Sequence, residues 1–128
     1  MSTKKTLLSI IAAGLWITFF EFLRNELVFK QYWVRQFSSL GLIFETTPLN
    51  GILWTVWSLL LAFLIFKLLE KFSLKESVIL SWLPSFLMMW IVAYNLQVLP
   101  LLLLVFAVPL SLFEVFIAAK IIKAFSKK

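Results

Sequence analysis

Four apolar runs, separated by short polar interruptions, set the pattern of this chain. The first runs from Leu7 to Phe20 and continues through Phe22 and Leu23 past a lone Glu21. Lys4 and Lys5 precede it as they would a signal peptide. The run goes on through Leu15, Trp16, Phe19 and Phe20 with no small-x-small cleavage site, so it reads as a retained span. The second run opens at Thr47-Pro48, with threonine in the N-cap position and proline at the first helical position. From Pro48 to Leu69 it has 22 residues. At 1.5 Å per residue that is ~33 Å of helix, against a hydrocarbon core of ~30 Å.

Ser73-Leu74-Lys75-Glu76 has the form of a capping box, in which serine and glutamate each satisfy the other's backbone N–H. It introduces the third run, Ser77 to Tyr94. The segment Asn95 to Leu99 turns the chain, and Pro100 starts a fourth run that ends near Ala119. So short a link makes the last two helices an antiparallel pair. Between the first two runs lies Arg24 to Thr47, which mixes Tyr32, Trp33 and Phe37 with a Glu26–Lys30 pair at i,i+4. That mixture suits a helix lying in the membrane interface, ended near Gly41. The expected fold is therefore all-α: a polytopic membrane protein with one domain over residues 1–128. It has four transmembrane helices at about 6–23, 48–69, 77–95 and 100–119, plus an interfacial helix between spans one and two.

Composition agrees with this reading. The chain is 62% hydrophobic and 14% charged, with a mean hydropathy of +1.02. A water-facing domain carries about 25% charged residues, so this chain has too few to coat a soluble surface. Most of its surface is expected to face the lipid bilayer. Positive charge is asymmetric. Nine lysines lie at the N-terminus (Lys4, Lys5), in the second connection (Lys67, Lys71, Lys75) and at the C-terminal end (Lys120, Lys123, Lys127, Lys128). The other side has three basic residues, Arg24, Lys30 and Arg35. The positive-inside rule then places both termini in the cytoplasm, with the inner membrane of a bacterium as the expected location. Lysines beside apolar spans suit anionic headgroups and give no sign of nucleic-acid binding.

The residue inventory narrows the chemistry. Cysteine, histidine and aspartate are all absent. Thiol, iron–sulfur and histidine-based chemistry and structural zinc sites lose their ligands and nucleophiles, and neither a metal nor a cofactor is expected. The reading is non-enzymatic, with a lipid-modifying enzyme ranked last.

Two carboxylates interrupt the apolar spans. Glu21 has Arg24 at i+3 and Asn25 at i+4 on its own helical face, which reads as a paired cluster at the end of the first span that fixes helix depth. The sharper reading is a proton or cation site. Glu114 has no basic residue within one turn and lies six residues from Lys120, so it must be protonated, face a wet cavity, or pair with another helix. Ser81 and Ser85 on the third span are its expected partners. Pro84 and Pro109 each free a carbonyl four residues earlier, and kinks there, with Ser85 and Ser111, could open a cavity. Gly14, beside Ala12 and Ala13, offers a close-approach patch on the first span.

Two functions follow. One is an accessory or self-associating subunit that binds other membrane proteins or a second copy. The other is a small oligomeric transporter or proton-linked permease using Glu114, with Glu21 as the weaker site. A polar cavity reaching Glu114 would favour the second.

Overall fold

A computed structural model describes residues 2–126. Lys127 and Lys128, counted above in the charge asymmetry, lie outside the described residues. The chain is all-helical, and four of its helical stretches are long and apolar enough to cross a membrane: Thr3–Val28, Pro48–Leu69, Leu74–Asn95 and Leu101–Ser126. We call these spans 1 to 4.

Span 1 is α1 (Thr3–Phe22) continued by a π-helical turn (Leu23–Val28). A short helix, α2 (Lys30–Ser39), follows. Span 2 is the single helix α3 (Pro48–Leu69). Span 3 is α4 (Leu74–Trp82), a second π-helical turn (Leu83–Leu87) and α5 (Met88–Asn95). Span 4 is one 3₁₀ turn (Leu101–Leu103) and α6 (Leu104–Ser126). Spans 1 and 4 exceed the lengths expected from the apolar runs, and span 3 starts three residues earlier. The charged residues at 21 and 24 do not end the first helix because the bundle takes them in.

The helix boundaries follow local chemistry. Thr47 and Asn50 bond to one another ahead of Pro48, and Ser73 and Glu76 form the reciprocal box at the start of α4. The end of α2 is a Schellman turn: Leu42 N–H donates to Phe37 O and Gly41 N–H to Ser38 O, with Gly41 at φ 73°. The end of α5 repeats it with Val98 N–H on Ala93 O and Gln97 N–H on Tyr94 O, but here a non-glycine, Gln97, takes φ 64°. Gln36 of α2 donates to the carbonyl of Gln97 at 2.6 Å, tying the short helix to the third connection. Both lie at the loop end of the bundle, opposite the end that carries the termini.

α1 packs against α3 and α6, α4 against α6 and α3, and α3 also touches α6 across the bundle. Small residues let α1 and α3 approach: Ser9, Ala13 and Gly14 face Ser58 and Ala62, all buried. At Gly14 a Cβ would come within 2.6 Å of Leu59 Cδ2, so the two helices approach closely there. From that crossing toward the loop end they diverge. Leu49, Ile52, Leu53, Trp54 and Val56 on the first two turns of α3 are all exposed, and α3 first becomes buried at Ser58.

Candidate functional site

The divergence of α1 and α3 leaves a cleft of about 1140 Å³ between span 1, the segment 43–47 and the start of α3. Its floor lies just beyond the Gly14 crossing, at Thr18 and Thr55, whose hydroxyls donate to their own helices at Gly14 O and Gly51 O. On the α1 wall the cleft reaches Glu21, Asn25 and Glu26.

Glu21 is at the centre of the polar arrangement. It is 4% exposed, and Arg24 beside it is 6% exposed. Arg24 Nη2 donates to Glu21 Oε1 and Asn25 Nδ2 donates to Glu21 Oε2 at 2.7 Å. Trp33 of α2 donates its indole N–H to Asn25 Oδ1 at 3.1 Å, so the short helix orients the amide that orients the carboxylate. The guanidinium of Arg24 lies over the Phe86 ring, 5.3 Å from its centroid. Phe86 belongs to the π-helical turn of span 3 and Arg24 to that of span 1. The widened turn in each helix thus presents one half of this contact. π-helical turns often occur at functional sites.

Glu114 joins the same cluster from α6. It is fully buried, and Glu21 and Arg24 are the charged groups close enough to act on its carboxyl. Trp16 holds this part of α6 against α1 by donating its N–H to the carbonyl of Glu114 at 2.9 Å. Two ionised carboxylates both accept and cannot bond to each other. In that state neither Glu114 oxygen meets a donor among the described residues. A buried polar group without a partner is costly, so the geometry calls for a proton between the pair. Glu21 already accepts from Arg24 and Asn25, which leaves Glu114 as the carboxyl able to donate. Arg24 Nε and Nη1 are also buried without a protein acceptor.

Comparison with family models, with curated proteins and with solved structures finds no match to this chain.

The structure therefore brings together Glu21, Arg24, Asn25 and Glu114, which sequence reading placed at two separate sites. It does not pair Glu114 with the serines of span 3. Ser81 donates to Ser77 O and Val78 O, and Ser85 donates to Ser81 O. The reason is steric register: those hydroxyls return to their own helix, while α6 turns Glu114 toward α1. Pro84 and Pro109 are exposed on the outside of the bundle, and neither they nor Ser85 and Ser111 line the cleft. Ser111 instead accepts from the indole N–H of Trp82 at 2.8 Å, fastening α4 to α6. Phe86, Thr18 and Thr55 were not singled out from sequence, and Trp33 was read only as part of the interfacial helix. Trp33 in particular is eight residues from Asn25, a spacing that meets only because the chain changes direction at Phe29.

Proposed function

We propose that this chain is a small integral membrane protein, with both termini in the cytoplasm of a bacterial cell, that carries a proton-exchanging site at the Glu21–Glu114 pair. Of the two functions read from sequence, an accessory subunit and a small proton-linked permease, the second is supported by one specific observation. The cleft opens onto Glu21, and Glu21 is close enough to act on the buried carboxyl of Glu114. A carboxyl buried in a bundle without access to water is a packing element. One relayed to a cleft through a second carboxyl can gain and lose its proton.

The charge inventory suits a site that stays neutral at rest. The only buried charged side chains among the described residues are Glu21, Arg24 and Glu114. One proton on the carboxyl pair leaves one negative charge facing one guanidinium, and an intramembrane site pays heavily for any excess. On the far side of Glu114, Ala13, Val115, Ala118 and Ile122 are buried and fill the bundle toward the termini. A transport cycle thus requires the helices to rearrange, or a second copy to complete the path.

Infrared spectroscopy of the reconstituted chain tests the reading. A protonated-carboxyl C=O band is expected, lost in Glu114→Gln and kept in Glu76→Gln, that shifts within minutes of transfer to D₂O. Thermal unfolding of both variants checks that they remain folded. A band that persists unshifted for hours would mean a dry, structural carboxylic acid, and the accessory-subunit reading would replace this one.

A further inference from the structure

The composition of the cleft walls identifies a class of ligand. Three carboxylates line it, Glu21, Glu26 and Glu45, and no lysine or arginine does. This is unexpected in a chain of net charge +6. Glu21 is paired to Arg24, and Glu26 faces Lys30 at 3.6 Å, a loose and half-exposed contact. Glu45 has no ion pair among the described residues. Five aromatic residues share the wall, Phe19, Phe22, Phe37, Phe44 and Trp54, among aliphatic and uncharged polar side chains. Trp33 stacks on Phe44 at 6.0 Å with the rings 8° from parallel, and Phe37 meets Phe44 edge-on at 5.2 Å. These contacts hold the 43–47 segment over the cleft as an aromatic lid anchored on α2.

Carboxylates among aromatic faces attract a cation with an apolar body, through charge at the acidic positions and the ring quadrupoles around them. The cleft, at about 1140 Å³, is slightly larger than the roughly 300–1,000 Å³ of sites for drug-sized ligands, so such a ligand fits with room to spare. An acyl chain of a lipid would use the aromatic wall but leave the Glu45 carboxylate, which has no ion pair among the described residues, facing hydrocarbon.

We propose that the cleft takes up a monovalent lipophilic cation, which enters past Glu45 and comes to rest against Glu21, releasing the proton held by Glu114. This rests on the proton-exchanging reading and names its counter-substrate. The charges balance. Before binding, Glu21 is negative, Arg24 positive and Glu114 neutral. After binding, the cation's charge is matched by the negative charge that deprotonated Glu114 acquires. One cation thus replaces one proton, and among the described residues the only buried charged side chains besides Glu114 are Glu21 and Arg24.

Tetraphenylphosphonium is the probe, with tetraphenylborate as an anion of the same shape. Binding to the full chain in detergent is followed by tryptophan quenching, since Trp54 lines the cleft. It is also followed by calorimetry in two buffers of different protonation enthalpy, which counts protons released. The phosphonium is expected to bind at least tenfold more tightly than the borate and to release close to one proton. Glu45→Gln should weaken it about tenfold while leaving the fold intact. Equal affinity for the two ions, or no effect of Glu45→Gln, would show an apolar groove filled by lipid and overturn the proposal. Failure here with a D₂O-sensitive carboxyl band leaves the proton site standing without this ligand. Selective phosphonium binding with no proton released, unchanged in Glu114→Gln, would refute the coupling and the proton-exchanging reading together.

Discussion

Replacing Arg24 with methionine removes the only buried cation among the described residues while keeping an unbranched stem of similar length. In the folded chain its guanidinium donates to Glu21 and lies 5.3 Å from the centroid of Phe86. Breaking a buried ion pair by deleting one partner costs about 3–5 kcal/mol, because the remaining charge stays desolvated. The lower end applies here: Asn25 still donates to Glu21 at 2.7 Å, and a second proton can neutralise the pair. We expect Arg24→Met to destabilise the bundle by about 3 kcal/mol. Combining it with Glu21→Gln removes the stranded charge and should return the protein to within about 1 kcal/mol of wild type, as replacements of whole buried pairs tend to do. Unfolding in mixed micelles at increasing denaturant fraction, read by tryptophan fluorescence, supplies both values and hence the coupling energy. An Arg24→Met cost below about 1 kcal/mol would refute the reasoning, because it is the cost of a pair already in contact with water. So would a double variant whose loss equals the sum of the two single losses.

Two further outcomes are expected. Gln97→Gly should raise the unfolding midpoint, since a non-glycine residue in the left-handed region costs about 1–2 kcal/mol, and the carbonyl that accepts from Gln36 is unaffected. A lowered midpoint would mean that the Gln97 side chain outweighs the strain. The orientation can be tested directly because the chain has no cysteine. A cysteine at position 45 should react with a membrane-impermeant thiol reagent on intact cells, and one at position 126 only after permeabilisation; the reverse pattern would invert the orientation drawn from the lysine asymmetry.

The fold was legible in the sequence where the signal is local. Thr47-Pro48 and Ser73 to Glu76 mark helix starts through residues close in sequence; α3 starts at Pro48, and the Ser73–Glu76 box forms ahead of α4. The Gly41 stop is legible for the same reason, as only glycine takes φ 73° without penalty. The short helix over 30–39 is present as expected. The stop at Gln97 was legible only as a polar turn, because nothing in a glutamine announces a left-handed residue. The lengths of spans 1 and 4 were not legible from hydropathy. A window that treats Glu21 and Arg24 as exposed charges ends span 1 too early once those charges face inward.

The site was half legible, and the missing half has a geometric cause. Glu21, Arg24 and Asn25 could be grouped because i,i+3 and i,i+4 spacing places them on one helical face. Glu114 could be recognised as a carboxyl in need of a partner, but rules of helical spacing see only the helix on which a residue sits. Its partner lies 93 positions earlier in the chain and is itself an acid. Reading along the sequence favours hydroxyls or cations as partners for a buried glutamate, which is why Ser81 and Ser85 were expected. Two carboxylates are paired only when a proton makes one of them a donor, and a proton leaves no mark in the sequence. The charge count does leave one: with two glutamates and one arginine enclosed by apolar helices, neutrality requires one proton. Had Glu21 and Glu114 been assigned to one cluster from the outset, that arithmetic would have pointed to a proton site without coordinates. What coordinates add is the cleft, since the divergence of α1 and α3 above Gly14 decides whether the proton can leave.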